Sequence, residues 1–351
     1  MKLGIIFGGK SFEHEISIIS AIVMKKVLKA ELIYIFCDYN REFYLIPTKK
    51  INSKRFSSGE YKKYKKLTLK NGGFFAKNII GEKKIDFDIA LNLSHGADGE
   101  DGKFSSLLEF FEIPFVGPRV EASSISYNKL FTKMYAKEFG VKTLDYKTLN
   151  KGSSRNIELE YPVIIKPTRL GSSIGISIVK KKEELDYALD VAFEFDTQVI
   201  IEPFVRDVKE YNLSGCKTDK YEFSIVEEPK KDEFLDFDKK YLDFSRTLRV
   251  NEADLSEEMK EKLKETFKKL YEPLFSGSLI RCDFFILDNE IYINEINPIP
   301  GSMANYLFSD FDKVLSSLTN FLPTCTQVLP QYKYINSIQV AKGKNGKFHT
   351  K

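Results

Sequence analysis

Only three histidines, His14, His95 and His349, occur in 351 residues, so a His-rich metal centre or a Ser-His-Asp triad has very few ways to be built. Chemistry must rest mainly on carboxylates, Lys and Arg. Cysteine is also scarce: Cys37, Cys216, Cys282 and Cys325 lie far apart, each in or beside an apolar run, with no CxxC spacing. Buried reduced thiols are expected. Charge of one sign is lacking too, since 54 Lys and Arg face 50 Asp and Glu and leave only +4. That balance gives no global field for a phosphate backbone, and no nucleic-acid partner is expected. No run approaches the roughly 20 apolar residues that span a bilayer, so no membrane partner is expected either. MKLGIIFGGKSFEHEIS has neither the long apolar region nor the cleavage site of a signal peptide, so a cytoplasmic location is expected. The phosphate-loop pattern GxxxxGK[ST] and the dinucleotide pattern GxGxxG are both missing, and the second absence removes the main support for a Rossmann oxidoreductase.

What is present is the composition of a soluble globular protein, 42% hydrophobic and 30% charged, long enough for two or three domains. Residues 2–7 read as a buried strand, GGKSFEHE as a glycine-opened turn and SIISAIVMKKVLKA as a helix. Strands follow at 31–37, 43–46 and 85–93, then the loop SHGADGEDG and the helix KFSSLLEFFE. Strands alternating with helices favour a parallel sheet with ligand groups at the strands' C-terminal ends. Residues 47–73 carry nine Lys or Arg and one acid, which reads as a solvated insertion in preference to a site for a specific anionic partner. After EIPFVG a second, compact α+β unit opens with the helices EASSISY and NKLFTKMYAKEFG and collects the strands YPVIIKP, GISIVK, TQVIIE and EYNLSGCK. The segment 227–250 is long, polar and unpatterned, the kind of loop that is either functional or disordered. An amphipathic helix at about 255–273, two strands and a basic tail at 341–351 complete the chain.

Three constellations carry chemistry. In IRCDFFILDNEIYINEINPIPGS two alternating runs flank Asp288, Asn289 and Glu290. A hairpin symmetric about Asn289 sets Asp283 opposite Glu295 and Arg281 opposite Asn297, all on one face because strand side chains repeat with period two. Two facing carboxylates repel, and divalent cations relieve that repulsion; hard oxygen donors select Mg²⁺, with phosphate oxygens completing the shell. The alternative, a polar face on an edge hairpin, normally mixes signs, and a slip of one residue would undo the pairing. KPTRLGSSIG (166–175) follows a strand-end Lys with a loop of small residues that can lay N–H groups and hydroxyls on phosphates, although such loops are often mere turns. QVIIEPFV (198–205) offers an adenine-sized slot or simply a buried strand ending at Glu202. In GGKSFEHEIS, Glu13 at a helix start suits an ammonium ligand, but a helix N-terminus favours an acid for structural reasons as well. His95 and Glu100 sit in a loop that is polar in any case.

Together GGKSFEHEIS, SHGADGEDG, KPTRLGSSIG and IRCDFF...INEINPIPG, in this order and spacing, resemble the D-alanine:D-alanine ligases, ATP-grasp enzymes of peptidoglycan synthesis, from about residue 3 to residue 310. The resemblance implies an ATP-grasp fold, α/β and α+β, with a Rossmann-like N-terminal domain at 1–120. A central subdomain at 121–213 and a C-terminal subdomain at 214–340 with a mobile loop at 227–250 would hold the nucleotide between them. By the same resemblance Lys129 and Lys166 are phosphate lysines, Glu202 and Val205 adenine-edge contacts and Glu210 the ribose acid, while Lys240 belongs to a nucleotide-side DKKY segment. Asp283, Glu295 and Asn297 match the metal ligands, in agreement with the hairpin argument. Glu13 matches the acid that holds the first D-alanine ammonium, with Ser172 and Tyr241 as its partners. His95, Tyr306 and Leu307 fall on the substrate side, and Arg281 with the Gly301 N–H matches the groups that stabilise the acyl phosphate and the oxyanion.

The implied reaction joins two D-alanines at the expense of ATP, with two Mg²⁺ ions, or Mn²⁺ in their place, and a homodimer as the implied assembly. A closing loop would protect the acyl phosphate from water. The sequence departs from the family pattern at Pro203, where a Lys beside the adenine is usual, at Tyr306, where a Ser is common, and at Asn128, where Asp is usual. Two rivals stand beside this reading. A ligase of the same fold that takes D-lactate or D-serine second is one, against whose lactate form Tyr241 argues. A nucleotide-binding module without turnover is the other, and it has no need of Lys129, Lys166, Arg281, Asp283, Glu295 and Asn297 all at once.

Overall fold

The computed structural model describes residues 1–206, 208–229, 250–324 and 328–335. Strand β1 (Lys2–Gly8) is buried on both faces, as befits a strand covered on two sides. It leads through the glycine turn into helix α1 (His14–Val27). Strand β2 (Glu31–Cys37) runs parallel to β1, and β3 (Phe43–Ile46) turns back antiparallel beside it. The basic segment then departs from the expected insertion. Past the short helix α2 (Ser53–Ser57) it forms β4 (Lys65–Lys70), which pairs with β3, and two further antiparallel strands follow, β5 (Gly73–Asn78) and β6 (Gly81–Lys84). Leu67, Phe74 and Ala76 bury one face of this meander, which is why it joins the sheet in spite of its lysines. The strand expected over 85–93 is shorter: β7 is Ile89–Asn92, because Asp86 and Asp88 are drawn to the side chain and the N–H of Lys2. Beyond helix α3 (Lys103–Phe110), strand β8 (Phe115–Val116) closes an eight-stranded sheet of order β6-β5-β4-β3-β2-β1-β7-β8, mixed where a parallel one is expected.

Helices α4 (Val120–Tyr127) and α5 (Lys129–Glu138) follow, and the side chain of Asn128 caps α5 by accepting from the Leu130 N–H. A second sheet contains β9 (Lys147–Asn150), β10 (Val163–Pro167), β11 (Ser177–Val179) and β12 (Gln198–Pro203), all antiparallel and backed by helix α6 (Leu185–Phe193). A third sheet contains β13 (Lys209–Lys217), β14 (Tyr221–Glu227), β15 (Ile280–Leu287) and β16 (Glu290–Asn297). Helix α7 (Glu257–Tyr271) covers it with Leu263, Phe267, Leu270 and Tyr271, the apolar stripe of an otherwise charged helix.

Two features differ from a chain cut cleanly into consecutive units. The expected boundary at 213 lies inside β13, which pairs wholly within the third sheet; the change of sheet falls between Pro203 and Lys209. Ala122, Tyr135 and Ala136 pack into the core of the third sheet, and the Tyr135 hydroxyl donates to the Leu270 carbonyl at 2.6 Å. Past β16 the chain returns to the first domain. The turn Gly301–Leu307 and helix α8 (Phe311–Leu318) pack Met303, Leu307, Phe311 and Leu315 against the core built by β1 and α1. Seven residues of α1 are buried because both the sheet and this returning segment cover it.

Candidate active site

The β15–β16 hairpin sets Asp283 opposite Glu295 and Arg281 opposite Asn297, the pairs expected from the sequence. The route to that register differs from the symmetric one. Leu287 pairs with Glu290 around a two-residue turn in which Asp288 and Asn289 both have positive φ, 49° and 61°, as the tight hairpin turn requires. Counted from this turn, Asp283 would face Asn294. A bulge between Asp283 and Phe284 places Asn294 as the extra residue and restores the Asp283–Glu295 pair. The bulged Asn294 enters the cleft, where its Oδ1 accepts from Lys166 Nζ at 3.4 Å. Arg281 grips Asp283 with two hydrogen bonds of 2.6 and 2.7 Å, and the Asn297 amide donates to Asp283 Oδ2 at 2.9 Å. Burial pushes the Asp283 carboxyl up to about 6 against the pull of Arg281, with the nearby Glu295 charge adding to the rise. Among the described residues no three His, Cys, Asp or Glu side chains converge as a metal cluster. The donors here are two carboxylates and an amide oxygen, hard ligands suited to Mg²⁺ beside phosphate. They fit that ion provided Arg281 shares Asp283 with it.

The second and third sheets face each other across a cleft of about 810 Å³ counted to its open mouth. Lys129, Lys166, Ser172, Glu202, Val205, Glu210 and Glu295 all line it, so the expected nucleotide residues are brought together. The Lys129 N–H donates to the Thr168 carbonyl and its ammonium to the Leu170 carbonyl at 2.7 Å, which fixes the GSSIG loop to α5. Pro203 lies on the same wall and leaves an apolar lip there. Glu202 is almost fully buried and receives two ammonium groups, Lys166 at 2.7 Å and Lys133 at 2.5 Å. Burial alone would raise its pKa, but the two lysines outweigh burial and hold the carboxyl down to about 2. Lys133 was not legible as a site residue, because lysine in KLFTKMYAKE reads as the wet face of a helix. The available signal was twofold: it stands four residues from Lys129, on the same helix face, and the buried acid Glu202 needs a cation.

Glu13 lies where the first domain meets the GSSIG loop. Ser172 donates to its Oε1 at 2.6 Å, and Ser172 itself has a left-handed φ of 55°. Gly96 and Gly171 approach so closely that a Cβ on either would lie 2.8 Å from a Glu13 carboxylate oxygen, so the absence of side chains there is required by the acid. Burial, with the Glu100 charge second, pushes the Glu13 carboxyl up to about 7. His95 is buried and neutral, its pKa pushed down to about 4 by desolvation; Nε2 is 2.9 Å from Ser20 Oγ and Nδ1 3.4 Å from Glu100. Burial likewise lifts Glu100 to about 8. Asp98, in the same loop, ties it down: its carboxylate accepts the Lys10 N–H and a two-point grip from Arg41.

On the far side, the Ser302 N–H donates to Ser20 Oγ, and Ser302, Met303 and Ala304 take three consecutive left-handed conformations directly after Gly301. That run is sterically costly for residues with a Cβ and holds the loop in one shape. The Tyr306 hydroxyl donates to Glu227 at 3.4 Å, and the Leu307 side chain is buried in the first core. Lys240 and Tyr241 lie outside the described residues.

The comparisons with known proteins bear on the whole chain. The family model described as the D-ala D-ala ligase N-terminus matches residues 2–118, and that described as the D-ala D-ala ligase C-terminus matches residues 135–315. The D-alanine–D-alanine ligase of a Sulfurovum species is 63% identical over 345 residues, 98% of this chain and all of that protein; that of Wolinella succinogenes is 61% identical over the same extent. The crystal structure of the D-alanine–D-alanine ligase from Helicobacter pylori superposes with a TM-score of 0.83 at 49% identity, covering 93% of this chain and all of that one. A D-Ala:D-Ser ligase from Enterococcus faecalis superposes with a TM-score of 0.74 at 26% identity, covering 91% and 98%. Full-length identity at this level, joined to the ATP-grasp sheets and the cleft between them, establishes that the chain belongs to the D-alanine–D-alanine ligase family.

Proposed function

We propose that this protein joins two D-alanines into D-alanyl-D-alanine with ATP, for peptidoglycan precursor synthesis, and that the cleft described above is where it does so. The observation that carries the reading is the convergence of Lys129, Lys166, Glu295 and Ser172 on one cleft whose rim is completed by Glu13. In the first step a D-alanine carboxylate attacks the γ-phosphorus of ATP, giving D-alanyl phosphate and ADP. Lys129 and Lys166, on the wall of the cleft, would neutralise the transferring group. The Glu13 carboxylate takes the substrate ammonium, and Ser172 orients it. In the second step the amine of another D-alanine attacks the acyl carbon, the C–N bond forms and inorganic phosphate leaves. Arg281 and the Gly301 N–H are the donors for the oxyanion.

Asp283, Glu295 and Asn297 would hold Mg²⁺ or Mn²⁺, as two ions by family resemblance. When bound, such cations neutralise phosphate charge. Glu202, Val205 and Glu210 form the nucleoside side, His95 and the Tyr306–Leu307 turn the second-substrate side, with Lys240 and Tyr241 on the closing loop. A homodimer and a cytoplasmic location belong to the same reading; among the described residues no helix is long and apolar enough to cross a membrane.

Incubation with ATP, Mg²⁺ and D-alanine, alone and with D-lactate or D-serine, tests the assignment by product mass. D-alanyl-D-alanine with equivalent ADP supports it. ATP turnover indifferent to D-alanine, or a product dominated by the ester or the D-serine adduct, would overturn it.

A further inference from the structure

Residues 47–84 contain twelve Lys or Arg and two acids, a local balance of +10 in a chain of +4 overall. Much of this charge lies on β4, β5 and β6, at the edge of the first sheet and far along the strand order from β1 and β7. One face of the meander is spent on the core through Leu67, Phe74 and Ala76. Lys66, Lys70, Lys77, Lys83 and Lys84 are exposed. Glu82, the one acid of the β5–β6 hairpin, is taken up by Lys70, and the neighbouring Asp86 by Lys2. The charges of Lys77, Lys83 and Lys84 are therefore not cancelled on the hairpin itself.

The turn of that hairpin is Asn78-Ile79-Ile80-Gly81, with Asn78 paired to Gly81. Ile79 is 99% exposed and Ile80 94%. Turn chemistry allows them without calling for them: Gly81 takes the positive φ of 87° and neither isoleucine has one, so the two loop positions accept most residues and gain nothing from a bare apolar side chain. Protection of an edge strand accounts for lysines on β6 but not for two adjacent isoleucines at its tip. A phosphate backbone would use the lysines and leave the isoleucines without purpose. Apolar residues at a tip ringed by lysine suit a surface that is anionic outside and hydrocarbon just beneath.

We propose that the β5–β6 hairpin is a contact for an anionic lipid surface, with Ile79 and Ile80 entering the acyl boundary and the surrounding lysines lying among the headgroups. This is a peripheral contact and requires no spanning helix. It also gives the basic segment a partner that the ligation chemistry does not supply.

The test is co-sedimentation of the full chain with phosphatidylcholine vesicles, with and without about 30% phosphatidylglycerol, at low and high salt. Binding is expected to the anionic vesicles alone and to weaken with salt. Lys77→Gln, Lys83→Gln and Lys84→Gln together should weaken it by about one hundredfold, at roughly fivefold for each lysine near the surface. Ile79→Ser with Ile80→Ser should weaken it at least tenfold while ligase activity stays unchanged, which also shows that the variant is folded. Single-stranded DNA serves as the rival polyanion. No vesicle binding by the wild type, binding indifferent to the isoleucines, or DNA bound more tightly than anionic vesicles would each overturn the proposal.

Discussion

Replacing Glu13 with Gln separates stability from function at one atom pair. The wild-type carboxyl is buried, and its pKa is pushed from the ordinary 4.5 up to about 7, burial being the main cause. A carboxyl raised in this way favours the fold while protonated. Its contribution is complete below the unfolded value of 4.5 and is lost as pH rises through about 7. At about 1.4 kcal/mol for each tenfold change in proton affinity, the ionised group weakens the fold by about 3 kcal/mol well above pH 7. Glu13→Gln keeps the shape between Gly96 and Gly171 and removes that penalty. The variant should therefore melt higher than the wild type at pH 9 and close to it at pH 5. It should also lose the first D-alanine, because a charge-assisted hydrogen bond is worth about 1.5 to 3 kcal/mol, or roughly a 10 to 150-fold rise in KM. The wild-type KM for that substrate should rise as pH falls below 7, and the variant's should not. The assay is thermal unfolding across pH 5 to 9 beside steady-state kinetics over about the same range. Parallel melting curves for the two proteins, or an unchanged KM in the variant, would refute the placement of Glu13 as a buried ammonium ligand.

Glu295→Gln should lower turnover by about 100 to 1,000-fold without unfolding, since it removes a metal ligand and relieves the Asp283 repulsion; near-normal rates at saturating Mg²⁺ would show that the hairpin does not hold the metal. Deleting Asn294 removes only the extra residue, so Glu295 stays opposite Asp283 in a regular hairpin and Lys166 loses one acceptor; activity should fall only about 2 to 10-fold while circular dichroism is preserved, and a loss beyond about 100-fold would contradict the register. Lys133→Met leaves Glu202 with one cation and should cost about 3 to 5 kcal/mol in unfolding free energy, measured by urea titration, together with a raised KM for ATP. Asp98→Asn breaks the grip of Arg41 while keeping an acceptor for the Lys10 N–H, so it should raise the KM for the first D-alanine and leave that for ATP near normal; equal rises in both would mark a merely structural role.

The legible part of this protein was its chemistry in strands, because a period of two is unforgiving. Asp283, Glu295, Arg281 and Asn297 follow from alternation alone, yet the assumed turn was off by half a step and the bulge at Asn294 cancelled the error. No local rule predicts that bulge. Lys133 was hidden because it shares the buried stripe of α5 with Thr132, Tyr135 and Ala136, on a helix whose many lysines read as a wet face. The basic meander was misjudged since charge counts ignore the alternation that puts Leu67 and Leu69 on one face of β4 and Phe74 and Ala76 on one face of β5. Least legible were the long-range returns: nothing in SMANYLF says that it packs against a helix nearly 280 residues earlier, or that α4 and α5 belong to the third sheet.

Those returns divide the molecule mechanically into two bodies. The core beneath the first sheet includes Cys216 and Leu279, so the first and third sheets are welded together by shared apolar packing. The second sheet has its own core, drawn entirely from residues between Leu149 and Ile201. Polar latches join it to the rest: Lys133 to Glu202, Ser172 to Glu13, Lys166 to Asn294, and the Lys129 N–H to the Thr168 carbonyl. Swinging the second sheet outward would break ion pairs and hydrogen bonds that water can replace, whereas moving either other sheet would open a hydrophobic core. Lys166 and Ser172 are also the groups that phosphate and substrate would claim. The same side chains therefore hold the second sheet against the other two and line the cleft, so a ligand that claimed them would exchange one set of partners for another.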